Sequence, residues 1–152
     1  MSMGAAVRLT KPTSQVGYIT ATFAASAAAN TTLQASIVTQ RPLSPAKNSV
    51  SVPTSEYWYI TSFYLPAGMS PSAVNAVASI YVNDIPQPLS VMESEIQQST
   101  YNKLRLTPDQ WIHLEPGSSF YETLTSTVAN GTSATTVTIY EVFLRVPVAP
   151  AR

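Results

Sequence analysis

Two glutamates in the middle of predicted strands are the residues whose type and spacing come closest to a catalytic pair. A turn at Asn130-Gly131 would bring Glu122 and Glu141 near each other. Two carboxylates facing each other across a cleft are the catalytic groups of glycoside hydrolases. In the alternative interpretation the glutamates bind Arg105, Arg145 or solvent along the sheet. We favour that structural role, because facing like charges without a function destabilise a sheet.

His113 is the only histidine, and it lies in a predicted strand between Ile112 and Leu114. It could act as a general base or a metal ligand, or simply be a strand residue on the same face as Trp111. The chain has no cysteine and no Gly-x-Ser-x-Gly elbow, which leaves a zinc site or a nucleophilic triad without support. We therefore predict no enzymatic activity, no catalytic residues, no metal and no cofactor.

Two groups of residues could interact with carbohydrate: aromatic side chains could bind a sugar, and asparagines could carry a glycan. Trp58 and Trp111, with several tyrosines, could line a sugar site, although packing in the core or at a subunit interface is the alternative for residues inside strands. Asn30 and Asn130 each begin an Asn-x-Thr acceptor pattern, which makes both candidate glycosylation sites. There is no glycine-rich phosphate loop and no basic run interleaved with aromatics, so direct nucleic-acid binding is not expected.

The composition favours a protein that assembles. The 152 residues include 8 basic and 8 acidic side chains, which give a net charge of zero, and only 11% of the residues are charged. Proteins near zero net charge tend to associate. No apolar run of membrane-spanning length occurs, and the start of the chain lacks the pattern of a secretory signal, so we expect neither a membrane span nor cleaved export.

The segment 57–65 is the densest apolar stretch, and the other elements are expected to be arranged around it. Tyr, Trp, Ile, Thr and Phe favour strands, and Pro53 and Pro66 limit its length. Because side chains alternate between the faces of a strand, the segment has two apolar sides. We predict that one side, Trp58, Ile60 and Tyr64, points into the protein, and that the other, Tyr57, Tyr59 and Phe63, is a candidate interface with another segment or subunit.

Short alternating segments separated by turn signals predict an all-β fold. The expected strands cover residues 16–23, 33–39, 57–65, 77–82, 89–92, 103–106, 111–114, 119–128 and 135–146. Residues 93–101 are expected either to contain one helical turn around Ile96 or to loop outward. About eight to nine strands without a long helix predict an antiparallel β-sandwich of the jelly-roll kind. Residues 1–15 would form an N-terminal arm, 16–146 the single sandwich domain and 147–152 a C-terminal tail.

From Val52 onward the order of motifs resembles the small β-sandwich proteins of tailed phages and archaeal viruses. Those proteins share a Val-Pro entry to an aromatic strand and a Leu-x-Pro-Gly turn. The matching segments here are Val52-Pro53, 57–63 (YWYITSF), 78–84 (ASIYVND), 114–120 (LEPGSSF) and 137–142 (VTIYEV). Ser118 stands where an acidic residue often follows the glycine, and the first 50 residues are unrelated.

The resemblance implies a virion structural protein, such as a capsid, turret, spike, adaptor or decoration subunit. Its partners would be copies of itself in a ring-like homo-oligomer and other virion proteins, and its location would be the virion. The alternative function is a carbohydrate-binding or host-adhesion module, with host-surface glycans as partners. That alternative predicts a row of solvent-exposed aromatic side chains on one face.

Overall fold

Two antiparallel β-sheets packed face to face form the protein. A computed structural model describes residues 9–39, 47–66, 69–98 and 102–149. In chain order the strands are β1 (Thr13–Phe23), β2 (Thr32–Gln34), β3 (Ser36–Thr39), β4 (Val50–Ser51), β5 (Glu56–Tyr64), β6 (Val77–Val82), β7 (Ile85–Met92), β8 (Lys103–Arg105), β9 (Ile112–Leu114), β10 (Ser119–Thr125) and β11 (Thr135–Pro147). One short helix, α1 (Glu93–Gln98), follows β7, and Pro108–Gln110 forms a 3-10 turn.

The strands divide between the sheets in a jelly-roll order. Sheet A has the order β3-β1-β11-β5, with β8 and β9 both along the free edge of β5. Sheet B has the order β2-β10-β6-β7, with β4 also along β10. If β2 with β4 and β8 with β9 each count as one position, and β3 is set aside as an additional edge strand beside β1, eight positions remain. They pair first with last, second with seventh, third with sixth and fourth with fifth. The predicted all-β antiparallel sandwich is therefore confirmed, with two sheets that each mix early and late strands.

The structure has eleven strands in its described residues rather than eight to nine. The predicted strand 33–39 divides at Ala35, so that β2 joins sheet B and β3 joins sheet A. Strand β4 lies between the predicted strands 33–39 and 57–65, where no strand was expected. Strand β1 begins at Thr13, inside the predicted arm, because Thr13 pairs with Arg145 of β11. Residues 1–8 of that arm lie outside the described residues.

The predicted hairpin between β10 and β11 is wrong. Strand β10 belongs to sheet B and β11 to sheet A, so the segment around Asn130-Gly131 crosses between the sheets instead of turning back along one of them. Backbone bonds hold this crossing, among them Ser26 N to Gly131 O at 2.7 Å and Asn130 N to Ala27 O at 2.8 Å. Neither Asn130 nor Gly131 has the positive φ of an Asn-Gly hairpin turn, so this local turn signal did not determine the backbone here or the sheet that the next strand enters.

Aromatic and aliphatic side chains from both sheets fill the space between them. Phe23, Phe63 and Phe143 from sheet A and Phe120 from sheet B are among the largest fully buried side chains. Trp58 packs edge-on against Phe120 and Phe143 at centroid distances of 6.4 and 5.6 Å. The helical alternative for the segment around Ile96 is confirmed, since α1 buries Ile96 completely and covers one end of the core.

Candidate functional site

The outer face of sheet A carries no charged residue on its three longest strands, β1, β11 and β5. The outward positions alternate with buried ones, and most are Tyr, Val or Leu while the rest are Ser or Thr. They are Ser14, Val16, Tyr18, Thr20 and Thr22 on β1, Thr136, Thr138, Tyr140, Val142, Leu144 and Val146 on β11, and Tyr57, Tyr59, Thr61 and Tyr64 on β5. We call this surface the sheet-A face. Outward positions of sandwiches are usually polar, so an apolar face suggests a contact surface.

A row of tyrosine rings crosses the strands of the sheet-A face. Tyr18, Tyr140 and Tyr64 are opposite one another in register, and their rings are in contact. The Tyr64 and Tyr140 rings stack at 5.1 Å and 18°, and the Tyr18 ring lies 5.5 Å from that of Tyr140. Burial, and secondly the neighbouring Tyr140, raises the pKa of Tyr64, so its hydroxyl stays protonated. The row is therefore a preformed platform rather than three independent side chains.

A second aromatic group lies on the β9 side of the same face. The Tyr59 ring packs 5.9 Å from Trp111 and 4.7 Å from the ring of His113. Trp111 is half-buried and donates its indole N–H to the Leu106 carbonyl at 3.2 Å, while His113 is exposed. Together with the tyrosine row, this group extends the aromatic surface across most of the sheet.

A β-bulge in β5 corrects the predicted orientation of Phe63 and Tyr64. The register between β5 and β11 shifts where Val142 pairs with Ser62 and Phe143 pairs with Ile60. The extra residue reverses the alternation, so Phe63 is fully buried in the core and Tyr64 points outward. Of the predicted interface residues, Tyr57 and Tyr59 lie on the sheet-A face and Phe63 does not. The partner of that face is untested.

Sequence reasoning missed Tyr18 and Tyr140, which form the middle of the tyrosine row. A signal was present, because the outward positions of β11 from Tyr140 to Val146 are apolar or aromatic, and so are three of its five buried inward positions, Val137, Ile139 and Phe143. A strand that is apolar on both sides has a second partner, as was argued for residues 57–65 alone. Applying the same test to the last strand would have located the centre of the face.

Trp58 is a core residue and lines no surface sugar site. It is only 4% exposed, and its indole N–H donates to Glu56 Oε1 at 2.8 Å. The same carboxylate accepts two bonds from the Arg145 guanidinium, at 2.6 and 2.7 Å, while Arg145 also lies over the Trp58 ring and bonds Gln15. Burial alone would raise the pKa of Glu56, but the bonds from Arg145 and Trp58 and the charge of Arg145 hold it below its usual value.

An open pocket of about 460 Å³ lies at one end of the sheet-A face. Its lining includes Tyr140 and the hydroxyl-bearing Thr136 and Thr138 of β11, together with Met69 and Ser72. Hydroxyl groups and an aromatic surface together are suited to a small polar ligand with an apolar side, such as a sugar ring. Pro66, Leu65, Ser70, Glu93 and Thr135 complete the lining.

Glu122 and Glu141 meet, but through the core rather than along one sheet. Both side chains are 0% exposed, with Glu122 on sheet B and Glu141 on sheet A. Neither pairs with Arg145, which bonds Glu56 and Gln15, and Arg105 is exposed at the sheet edge. Each carboxyl group influences the pKa of the other, so the two lie close together although the expected turn does not form a hairpin. The predicted arginine or solvent partners are wrong, because both carboxyl groups are fully buried and none of their oxygens accepts a bond from a described residue.

His113 is not part of the carboxyl pair. Its neighbours Ile112 and Leu114 point into the core, so the imidazole lies on the outer side of sheet A, while Glu122 and Glu141 lie between the sheets. The sheet thus separates the only histidine from the one buried carboxyl pair, and a general base must be within hydrogen-bond reach of its substrate. In the described ranges no group of three or more His, Cys, Asp or Glu side chains could hold a metal ion.

The two asparagines of the acceptor pattern have different environments. Asn30 is exposed in a turn with φ of 63°. Asn130 is 8% exposed, and its amide nitrogen donates to the carbonyls of Ala24 at 2.9 Å and Ser133 at 3.0 Å. A glycan would replace one of the two N–H groups of that buried nitrogen, so at least one of these bonds would be lost in the folded chain, and the geometry assigns Asn130 a structural role. Modification of Asn30 stays a prediction.

Replacing Asn130 by alanine should lower the free energy of unfolding by about 2 kcal/mol, because buried carbonyls lose their donor. Its Oδ1 also accepts from Gly131 N at 2.9 Å and from Thr135 Oγ1 at 2.7 Å, so the substitution loosens the crossing between the sheets. Urea unfolding followed by circular dichroism measures the effect. Asn30→Gly, which keeps the left-handed turn, is the matched control; equal stability losses in both variants would contradict the assignment.

Comparisons with protein-family models and with curated proteins supply no function for the chain. No protein-family model matches the chain, and the search of curated proteins finds no significant match. Among residues 9–39, 47–66, 69–98 and 102–149, no helix has the length and apolar character needed to cross a membrane.

Proposed function

We propose that the chain is a non-enzymatic virion structural protein that assembles with copies of itself through the sheet-A face. The observation that carries this proposal is the absence of charge from the outward positions of β1, β11 and β5, combined with the tyrosine row across them. Contiguous apolar surface with aromatic anchors is typical of protein interfaces.

The size of the face sets a lower limit on the contact. Three strands at about 4.8 Å spacing span about 14 Å, and nine residues at about 3.4 Å each span about 30 Å. The product, about 430 Å², is about half of the roughly 800 Å² that each partner buries in a standard interface. An interface of standard size would therefore also include the flanking strands β3, β8 and β9 of the same sheet.

A second copy of the chain is the occupant that the charge distribution favours. The net charge is zero and the face itself is uncharged, so two copies meet without like-charge repulsion. One face packed on itself gives a two-fold dimer with sheets about 10 Å apart. A ring, as expected from the resemblance, requires an additional head-to-tail contact on another surface.

Two further points support a place in a virion. The motifs from Val52 onward resemble those of virion β-sandwich proteins, and the jelly-roll order is shared by many capsid domains. The same order also occurs in lectins, so the fold does not by itself decide the role. Docking on other virion proteins belongs to the same proposal.

Light scattering after size-exclusion chromatography tests assembly over a range of concentrations. The wild-type chain is expected to be a dimer or larger. Val142→Lys places a charge at the centre of the face and should weaken association at least tenfold, because like charges meet at the contact. Ser79→Lys, outward on β6 of sheet B, is the matched control and should assemble normally. A wild-type monomer at every concentration, or equal behaviour of the two lysine variants, would refute the proposal.

Glycan binding is the second candidate function, and the open pocket beside Tyr140 favours it. A glycan array followed by calorimetry with the best ligand would test it. Thr136→Val with Thr138→Val removes two hydroxyls from the pocket lining and retains the shape, so glycan binding should be lost. Absence of binding to any glycan by the wild-type chain would remove this candidate.

A further inference from the structure

The pair formed by Glu122 and Glu141 has no evident role in assembly. Both side chains are completely buried, one from each sheet, and within the described residues no N–H or hydroxyl group donates to any of their four oxygens. A buried ionised carboxylate without a partner is strongly unfavourable. The two carboxyl groups therefore have to satisfy each other, which requires a proton between them.

The strand positions directly beside the pair carry no polar side chain. Gly17 of β1 and Phe63 of β5 flank Glu141 in register, and Ile80 of β6 flanks Glu122. Along their own strands the inward neighbours are Ile139, Phe143, Phe120 and Leu124. None of these positions offers a positive charge or a side-chain donor. The buried amide nitrogen of Gln15, one pair further along β1, is a donor but bonds neither glutamate.

The other buried charged groups in the described part of the chain bind partners other than Glu122 and Glu141. Arg145 also points inward from β11 but forms the ion pair with Glu56. Glu93 accepts bonds from Ser72 N, Ser72 Oγ and Ala76 N at 3.1, 2.6 and 2.7 Å. Nothing in the described core neutralises two ionised carboxylates at the centre of the sandwich.

We propose that Glu122 and Glu141 form a proton-dependent latch between the two sheets, which holds the sandwich closed while a proton is shared and loosens it when both carboxyl groups ionise. The ligand of this site is the proton. The latch lies in the core and not on the sheet-A face, so it goes beyond the proposed assembly and does not depend on it.

The direction of the pH effect follows from the two carboxyl groups. Burial, then the charge of Glu141 and a hydrogen bond to it, raises the pKa of Glu122 well above its ordinary value. Burial raises the pKa of Glu141 to about 7, although the hydrogen bond from Glu122 acts in the opposite direction. Native pKa values above the unfolded ones mean that the folded state binds more protons, so stability is lost as pH rises from about 4.5 through 7 and beyond.

Chemical denaturation between pH 5 and pH 9 tests the latch. For the wild-type chain the unfolding equilibrium constant should rise on the order of 100-fold from pH 5 to pH 8, as expected for one carboxyl group with a native pKa of about 7. Glu122→Gln with Glu141→Gln keeps the shape and removes the titration, so its constant should change far less. Glu115→Gln, at an exposed position, is the matched control and should behave like the wild type.

Nuclear magnetic resonance of the glutamate carboxyl carbons supplies a readout that needs no variant to fold. In the folded wild-type chain two of the resonances should titrate at or above about pH 7. The proposal is overturned if every glutamate titrates near its ordinary value, or if wild-type stability is level or increases from pH 5 to pH 8. The same decline in the double glutamine variant would also overturn it.

Discussion

Arg145→Met should lower the free energy of unfolding by about 3–5 kcal/mol, the largest loss that we expect from a single substitution. The substitution leaves the Glu56 carboxylate, which is 4% exposed, without the two guanidinium bonds at 2.6 and 2.7 Å. It also removes the cation over the Trp58 ring and the bond to Gln15. A buried carboxylate that has lost its partner must either remain charged in a low-dielectric core or take up a proton.

The measurement is urea unfolding at neutral pH, with a second variant as control. Glu56→Gln combined with Arg145→Met removes both charges, so it should recover a large part of the loss, because replacing a buried ion pair completely is far less harmful than breaking it. Arg145→Lys keeps the charge but not the two-pronged geometry, and should be intermediate. If the single and double variants were equally unstable, packing rather than charge would explain the effect.

Gly17→Ala should cost about 3 kcal/mol, because the added methyl group has no space. A Cβ atom at this position would lie 2.6 Å from the carbonyl oxygen of Val38 and 2.9 Å from Cε2 of Phe143. The Val38 oxygen belongs to the backbone of β3, and Phe143 is fully buried, so neither can move freely. Overpacked cores typically lose about 1–3 kcal/mol and occasionally more.

Gly131→Ala is the matched control for Gly17→Ala. Nothing lies within 4 Å of a Cβ atom at Gly131, and its backbone is not among the positive-φ glycines. Its stability should stay within about 0.5 kcal/mol of the wild type. Thermal unfolding of both variants in the same buffer provides the comparison. A Gly17→Ala protein as stable as the control would contradict the prediction, because β3 would then have moved to make room for the methyl group.

The buried charges act in opposite directions with pH. Glu56 has a lowered pKa, so its contribution is present above its unfolded pKa and is lost as pH falls through the native one. The raised pKa values of Glu122 and Glu141 cause a loss of stability as pH rises. Together these groups place the stability maximum at mildly acidic pH, about pH 5, rather than at neutrality.

The amino-acid sequence was sufficient to predict the local elements. Alternating apolar residues bounded by proline and turn residues located the strands, since period-two burial and turn chemistry are local properties. The same reasoning gave an antiparallel sandwich, whereas association, expected from the low charge content, stays a prediction. The central strand at 57–65 and the helical turn around Ile96 were predicted at their observed positions.

What depended on tertiary structure was the side to which each residue points and the sheet to which each strand belongs. One bulged residue in β5 exchanged the sides of Phe63 and Tyr64, and no local signal marks a bulge that forms against a strand some 80 residues away. The ion pair between Glu56 and Arg145 likewise has no local signal, because the two residues are 89 positions apart in the sequence.

The carboxyl pair shows most clearly which properties the sequence predicted and which depended on the tertiary structure. From the sequence, Glu122 and Glu141 are two glutamates in strands near a turn, and a hairpin would have placed them on one sheet, beside solvent. Because β10 and β11 enter different sheets, the two side chains instead meet in the core and must share a proton. Strand periodicity determined that each would face one side of a sheet; the crossing between the sheets determined that this side is the interior.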